Sequence, residues 1–362
     1  MKERIMYCDF LKAISIILVI LIHIFAIYRD FYINSNRVYY FVLSLGDSFT
    51  RVAVPIFFMI TGIFMLNKTY ETSYKDYLKK RLPKLVIPLV IFTIIYYIYE
   101  KRYDLDSITL FNFFQTLTSY GGAKYHLWFM SEIIRIYILL PFISILIKGL
   151  KKKELRNLII TIFIMGNGIN FIQLYTQRYD VNLFRGLSLS NLTICINYLL
   201  VGYYLYKYDI KEKTRKKIYI LGVLSILLLP VFDLFYIDNM RNDAMYTVSS
   251  IFPIMPSISV FLLVKNNYDK LKISNKLEKL INKIATNSLY IYMIHVIVLE
   301  YVNKYAQQLI MPNRFISILV LIIFILVVTC ILSYIGALIF NYIYNFIAKH
   351  LLKCWKHIKK EI

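Results

Sequence analysis

Residues 10–29 read FLKAISIILVILIHIFAIYR, an apolar run interrupted only by one serine, one lysine and one histidine before its closing Tyr-Arg. A helix needs about 20 mostly apolar residues to cross the hydrocarbon core of a bilayer. Backbone polar groups in lipid must be paired within the segment, so a run of this length predicts a membrane-spanning helix. Whether the whole chain is a membrane protein depends on how often such runs recur.

Runs of the same kind recur along the whole chain, which has 362 residues, 59% of them hydrophobic and only 18% charged. A soluble domain is about half apolar and about a quarter charged, and a disordered chain is more polar still. The sequence therefore predicts an all-α, polytopic membrane protein with about ten transmembrane helices, at 10–29, 40–66, 82–99, 126–147, 157–175, 192–206, 218–235, 248–264, 286–302 and 315–348.

The basic residues, which give a net charge of +22, follow this predicted topology. Of the 43 Lys and Arg residues, 30 lie in the two terminal segments and in the loops on the same predicted side, and 10 lie in the alternate loops. Cytoplasmic loops of membrane proteins carry such an excess of Lys and Arg, so both termini are predicted to be cytoplasmic. A charge distributed by topology also argues against a nucleic-acid partner and favours the lipid bilayer.

Ionisable side chains at membrane depth are costly and are functional candidates by default. The first predicted helix holds three of them, Asp9, Lys12 and His23. Asp9 and Lys12 are one turn apart and are expected to pair. Lys12 and His23 are eleven residues apart, close to three full turns, so they are expected on one helix face. The alternative is that Lys12 extends to the interface and His23 is a packed core residue.

The other intramembrane candidates each have a functional and a structural interpretation. Arg51 is expected to pair with Asp47, either in a site or as an interfacial ion pair beside a proline kink. Arg81 and Lys84 form a basic patch at the cytoplasmic end of the third span, which could attract a phosphorylated donor. The alternative is that they only anchor the helix on the cytoplasmic side, as the positive-inside rule predicts. The remaining candidates line later spans: His126, Trp128, Glu132, Arg135 and His295.

Several chemistries are not indicated by any motif. The chain contains no GxxxxGK[ST] phosphate loop, no GxSxG elbow and no HExxH pair. Its cysteines, Cys8, Cys195, Cys330 and Cys354, are scattered and form no CxxC spacing. Neither a disulfide framework nor a metal site is therefore predicted, and no bound cofactor is expected.

Five stretches in order resemble the bacterial integral-membrane acyltransferase family 3, whose members modify cell-surface glycans. The most specific is Lys12 followed by ten residues and His23; it is joined by VPIFFMITG at 54–62, RLPKLVIP at 81–88, HLWF at 126–129 and YIYMIH at 290–295. The resemblance covers nearly the whole chain. It departs from the family at Lys12, where arginine is commoner, and at the pair Glu132 and Arg135, which has no family precedent.

The resemblance implies a transmembrane acyltransferase domain at 1–348, a basic cytoplasmic tail at 349–362 and a multi-pass location in the bacterial plasma membrane. It implies transfer of an acyl group, acetyl from acetyl-CoA above all, to a hydroxyl of a cell-surface or lipid-linked glycan. We hypothesise that His23 is the general base and that Asp9 orients Lys12. The donor would be held by Lys12, Arg81 and Lys84. The substrates would be positioned by the other candidates, namely Arg51, His126, Trp128, Glu132, Arg135 and His295.

Two rival functions remain open at this point. A transporter or flippase for a lipid-linked or extracellular polysaccharide would also have many helices, intramembrane charges and a Pro/Gly-interrupted span. An acyltransferase-like subunit without chemistry of its own would work through glycan-biosynthesis partner proteins.

Overall fold

The computed structural model describes residues 5–68, 73–104, 108–119, 121–177, 184–236, 243–309 and 315–361, and within them it contains α-helices and no strand. The helices are, in chain order, α1 Met6–Tyr32, α2 Arg37–Thr50, α3 Ala53–Leu66, α4 Tyr74–Arg81, α5 Pro83–Glu100, α6 Leu110–Thr118, α7 Trp128–Lys148, α8 Lys152–Phe163, α9 Ile169–Gln177, α10 Asn191–Lys207, α11 Glu212–Tyr236, α12 Ile254–Asn267, α13 Asn275–Leu309 and α14 Phe315–Glu361. The predicted all-α class is confirmed for this part of the chain.

Eight helical stretches in the described residues are long and apolar enough to cross a membrane: Met6–Tyr32, Arg37–Leu66, Pro83–Glu100, Tyr125–Lys148, Lys152–Leu174, Glu212–Leu234, Asn275–Gln308 and Ile316–Ile347. The other two predicted spans also contain helices, α10 and α12, but these have only 17 and 14 residues. A membrane protein with several spans is therefore supported, while the count of ten stays a prediction. The side chains of the predicted tail from residue 349 onward lie outside the described residues.

The chain divides into two compact units. The first unit comprises residues 1–27 and 269–362, and so contains most of α1 together with α13 and α14. In it, α13 packs along α14. The second unit comprises residues 28–268, where α3 packs against α10 and α11 packs against both α2 and α12. Each unit holds a different group of the predicted site residues.

The predicted span 40–66 is interrupted by a short break between α2 and α3. The break falls at Arg51 and Val52, just before Pro55. Proline has no backbone N–H and its ring clashes with the carbonyl four residues earlier, which for Pro55 is the carbonyl of Arg51. The proline therefore explains the break, and the break places Arg51 at a helix end rather than within a helix.

Two glycines bring α3 and α10 into direct backbone contact. A Cβ atom on Gly62 would lie 2.1 Å from the carbonyl oxygen of Leu199, and one on Gly202 would lie 2.1 Å from the carbonyl oxygen of Met59. Small residues permit this close approach, which is a common way to pack helices in membranes. The contact is reciprocal, because each glycine lies against the backbone of the other helix.

The predicted span 248–264 begins later than expected, because residues 247–253 form turns and α12 begins only at Ile254. Val248, Ser250 and Phe252 of the non-helical part are nevertheless buried, and two of its carbonyls accept hydrogen bonds from other elements. Asn167 donates from its side-chain amide to the carbonyls of Val248 (3.1 Å) and Ser250 (2.8 Å). Tyr198 donates to the carbonyl of Val248 at 3.0 Å. Such pairing is what non-helical backbone needs at membrane depth.

Asn167 reaches this segment from a π-helical turn, Ile164–Gly168, between α8 and α9. A π-turn inserts an extra residue into the helix and changes the direction in which its side chains point. Gly166 lies at the contact with Ile194 of α10, where a Cβ would be 2.8 Å from a side-chain carbon. The turn therefore combines a close helix contact with an amide that binds the 247–253 segment.

Candidate active site

Helix α1 carries Asp9, Lys12 and His23 on one continuous helix. The expected ion pair is present, with 3.8 Å between Lys12 Nζ and Asp9 Oδ1. Because α1 is unbroken from Met6 to Tyr32, Lys12 and His23 lie on the same face, about 16 Å apart along the axis. One face of this helix thus presents an ammonium group near its start and an imidazole further along.

His23 stacks on His295 of α13. The two ring centroids are 5.2 Å apart and the ring planes meet at 27°. His295 is fully buried, and its Nδ1 lies 2.6 Å from the carbonyl oxygen of Tyr292. A carbonyl only accepts, so Nδ1 carries the hydrogen and Nε2 of the neutral ring is left as the acceptor nitrogen. The structure thus brings together two predicted site residues from distant parts of the chain and fixes the orientation of one of them.

In the second unit, Arg51 belongs to a buried ionic cluster centred on Asp47. Arg51 donates through Nε to Asp47 Oδ1 at 2.6 Å and through Nη2 to Oδ2 at 2.7 Å. Arg29 donates to Asp47 Oδ2 at 2.9 Å and also contacts Asp30. Asp47 is completely buried, and two guanidinium groups compensate its charge. The predicted pair of Asp47 and Arg51 is therefore present, within a larger cluster.

Tyr246 connects this cluster to Asp233. The Tyr246 ring lies under both guanidinium groups, with centroid distances of 4.3 Å to Arg29 Cζ and 5.0 Å to Arg51 Cζ, a cation–π arrangement. Its hydroxyl donates to Asp233 Oδ2 at 2.7 Å, and Tyr40 donates to the same oxygen at 2.5 Å. Burial raises the pKa of the Tyr246 phenol well above its ordinary value, so the hydroxyl stays a donor.

Glu132 and Arg135 form the ion pair that their spacing on α7 predicts. Arg135 Nη2 donates to Glu132 Oε1 at 2.8 Å. The Glu132 side chain is fully buried, whereas 44% of the Arg135 side chain is exposed. The buried carboxylate is therefore compensated by an arginine that also reaches the surface of the second unit.

His126 and Trp128 flank the start of α7. His126 is 2% exposed and lies edge-on to the Tyr96 ring of α5, with 5.1 Å between the ring centroids. Trp128 is half-buried and lies edge-on to Phe129. The His126 imidazole is therefore buried beside an aromatic ring of a neighbouring helix.

Arg81 and Lys84 lie on either side of the junction between α4 and α5. Arg81 ends α4 and is half-buried, while Lys84 lies in the first turn of α5 and is exposed. The junction forms because Pro83 starts a new helix, a position that suits proline. These two cations are near each other in sequence and belong to the second unit.

Arg29, Asp233 and Tyr246 were not identified as site residues from the sequence. Arg29 closes the predicted span 10–29; it lies within α1, is 3% exposed and binds Asp47. Asp233 lies in a predicted span, which was a signal that it needs a partner. No local spacing connects it to Tyr40, because that contact depends on how α2 packs against α11.

Among the described residues, no group of three or more His, Cys, Asp or Glu side chains could hold a metal ion. The residues described above carry imidazole, lysine, arginine, carboxylate and phenol groups. Such groups can transfer protons and stabilise anions.

Comparison with known proteins adds two findings. The model of a family described as an acyltransferase domain matches residues 5–338. An amino-acid racemase from Enterococcus faecalis is 23% identical over 292 residues, which cover 75% of this chain and 39% of the racemase. The chain thus spans about two fifths of the length of that curated relative. No solved structure matches the chain.

Proposed function

The chain belongs to the acyltransferase 3 family, and on that premise we propose that it moves an acyl group from acyl-CoA onto a hydroxyl of a cell-surface or lipid-linked glycan. Acetyl-CoA is the proposed donor. The family match covers residues 5–338, and the apolar helices support a multi-pass membrane enzyme. The racemase name belongs to a protein most of whose length has no counterpart in this chain.

The observation that carries the proposal is the stacking of His23 on His295, with Lys12 on the same face of α1 as His23. Acyl transfer to a hydroxyl needs a base that takes one proton and later returns it. Imidazole does this near neutral pH. His23 is half-buried and its ring is held against a neighbour that is itself anchored to Tyr292. We therefore assign the base to His23 and a positioning role to His295.

The proposed reaction has two steps. His23 removes the proton of the acceptor hydroxyl while the oxygen attacks the thioester carbonyl, which forms a tetrahedral intermediate. The intermediate then collapses, the carbon–sulfur bond breaks, and the proton passes from His23 to the departing thiolate. The products are the glycan ester and free CoA, and the histidine is neutral again.

Lys12 is the proposed anchor for the donor. Its ammonium group lies about 16 Å along α1 from His23, which leaves room for an extended donor arm between a bound phosphate and the reacting carbonyl. Asp9, 3.8 Å away, orients it. Arg81 and Lys84 are weaker candidates for the same role, since both are cationic and Lys84 is exposed.

The predicted site residues of the second unit are proposed to serve the acceptor. Arg51 keeps part of its side chain accessible (18%) although three of its nitrogens are bonded to protein oxygens. Arg51 and His126 suit the stabilisation of developing negative charge. Glu132, Arg135 and Trp128 offer the hydrogen bonds and the aromatic surface that sugars require.

We further propose that the chain crosses a bacterial plasma membrane ten times with both termini in the cytoplasm. Eight described helices have the length and composition to span, and α10 and α12 would supply the other two. The 30 basic residues on the predicted cytoplasmic side then face the anionic donor.

The test is transfer of radiolabel from acetyl-CoA into the polysaccharide and lipid-linked sugar fractions of membranes that contain the full chain. We expect incorporation with the wild-type chain and a loss of about 10²–10⁴-fold with His23→Ala. Lys12→Ala should raise the KM for acetyl-CoA. Lys216→Ala, at a lysine whose side chain is 72% exposed, is the control and should behave as wild type.

Three results would contradict parts of the proposal. Turnover near the wild-type rate in a well-folded His23→Ala variant would remove the base assignment. A fall in kcat alone in Lys12→Ala would exclude donor binding by that residue. Movement of a labelled lipid-linked glycan across the vesicle membrane without any acyl transfer would favour the transporter hypothesis.

A further inference from the structure

The first unit contains an apolar groove beside the face of α1 that carries Lys12 and His23. The groove encloses about 200 Å³ between α1, α13 and α14. Most of its lining side chains are aliphatic. They include Ile16 and Ile20 of α1, Leu280, Ile284 and Ile291 of α13, and Ile331 of α14. A cavity with walls of this kind selects hydrocarbon over water.

The groove is long and open to one side. Ile16, Ile20 and Ile291 form a buried floor, with 1%, 1% and 3% of their surfaces exposed. Leu280 and Ile331 form an open rim, with 47% and 53% exposed. Leu280 and Ile291 are eleven residues apart on α13, so the groove follows that helix for about 16 Å. All three helices have the length and composition of membrane spans, so in the proposed topology the open side faces lipid.

Two lysines border the groove where α13 begins. At 3.6 residues per turn, Lys276 and Lys283 both lie along one edge of the α13 face formed by Leu280, Ile284 and Ile291. Both lysines are exposed. Glu278, the acidic residue of this turn, is directed to the opposite side of the helix, and Lys12 of α1 is paired with Asp9. This end of the groove therefore has positive charge available for an anion.

We propose that the groove binds one acyl chain of an anionic phospholipid, whose phosphate lies between Lys276 and Lys283. Basic residues beside a crevice between transmembrane helices are a known way of recognising anionic headgroups. The narrow aliphatic channel matches a lipid tail, and the lysines at one end match the phosphate to which that tail is attached. The charge bias of the sequence assigns this end of α13 to the cytoplasmic leaflet.

The chain offers a matched control at Lys279. This lysine lies in the same turn and is exposed like the other two, but it is rotated about 120° from the centre of the groove face. Removing Lys279 changes the net charge as much as removing Lys276 or Lys283 does. If a lipid binds in the groove, removing Lys276 or Lys283 should weaken its binding more than removing Lys279 does. If the basic surface only attracts anions in general, removing any of the three should have the same effect.

The first test is native mass spectrometry of the full chain in mild detergent, with phosphatidylglycerol and phosphatidylcholine of identical acyl chains. We expect one phosphatidylglycerol to be retained in preference to phosphatidylcholine. Lys276→Ala and Lys283→Ala should each weaken its retention about fivefold, and Lys279→Ala by less than about twofold. Equal retention of both lipids, or equal effects of all three variants, would overturn the proposal.

The second test locates the acyl chain directly. Phosphatidylglycerol with a photoreactive diazirine on one acyl chain should label the groove rim at Leu280 or Ile331, and Leu280→Trp should block that labelling by filling the open mouth. Leu280 is exposed, so this change does not disturb the buried floor. Labelling outside the groove, labelling unchanged by Leu280→Trp, or a second copy of the chain cross-linked in place of lipid would contradict the assignment.

Discussion

Arg51 binds Asp47 through two parallel hydrogen bonds, one from Nε to Oδ1 at 2.6 Å and one from Nη2 to Oδ2 at 2.7 Å. Bidentate pairs of this kind are among the strongest polar contacts in proteins, because two charge-assisted bonds share one planar geometry. The third nitrogen, Nη1, donates to the backbone carbonyl of Tyr246 at 3.0 Å. The orientation of Arg51 is thus determined by Asp47 and by the backbone of the segment before α12.

Replacing Asp47 with asparagine should destabilise the second unit. Asp47→Asn keeps the shape but removes the negative charge that compensates Arg29 and Arg51, and breaking one partner of a buried pair costs about 3–5 kcal/mol. Thermal unfolding in detergent measures the change. Asp104→Asn is the control, since 64% of that side chain is exposed in a pair at 4.0 Å. Equal stability of Asp47→Asn and the wild type would show that the cluster is not needed for folding.

A methyl group at Gly62 should separate α3 from α10. Gly62→Ala places a Cβ 2.1 Å from the carbonyl oxygen of Leu199, so the helices must move apart, at a cost of about 1–3 kcal/mol or more. Gly186→Ala is the matched control, because a Cβ there meets nothing within 4 Å. The free energies of unfolding of the two variants should differ clearly. A Gly62→Ala variant as stable as Gly186→Ala would mean that the contact is looser than described.

The pair of Glu132 and Arg135 should show strong coupling in a double-mutant cycle. Arg135→Ala leaves the fully buried Glu132 carboxylate without its bond to Nη2 and should cost about 1–3 kcal/mol. Adding Glu132→Leu removes the buried charge and should restore part of the loss. Unfolding free energies of the two single variants and the double variant give the coupling. Simple additivity of the two changes would argue against a compensated buried pair.

His295 should affect turnover more than donor binding. His295→Ala removes the ring that stacks on His23, and a misplaced base can lower kcat by about 10²-fold. The KM for acetyl-CoA should stay near its wild-type value, since His295 does not contact Lys12. His295→Phe restores a flat ring against His23 and should recover part of the rate. A Phe variant as slow as the Ala variant would instead assign the need to the ring nitrogens.

The sequence predicted the contacts that lie within one helix. Asp9 with Lys12, Asp47 with Arg51, and Glu132 with Arg135 are three or four residues apart, and helical geometry alone brings such residues together. Pro55 predicts a disturbed span, and the helix is interrupted at Arg51 and Val52, just before it.

No residue spacing in the sequence predicts the contacts between different helices. His23 and His295 come from opposite ends of the chain, and their stacking depends on how α1 packs against α13. Arg29 closes the first apolar run, and no spacing in the sequence connects it to Asp47 and Tyr246, which it contacts in the folded chain. Local pattern thus identified the polar residues, and packing decided which of them meet.

The buried turns at 247–253 have a consequence for the order of assembly during synthesis. Their carbonyls depend on Asn167 and Tyr198, which leave the ribosome well before Val248 does. The receiving surface between the π-turn and α10 is therefore complete when the turns arrive, and they dock onto it without waiting for a later helix. A chain truncated after α12 should already protect the amides of this segment, whereas Asn167→Ala should leave them open to hydrogen exchange.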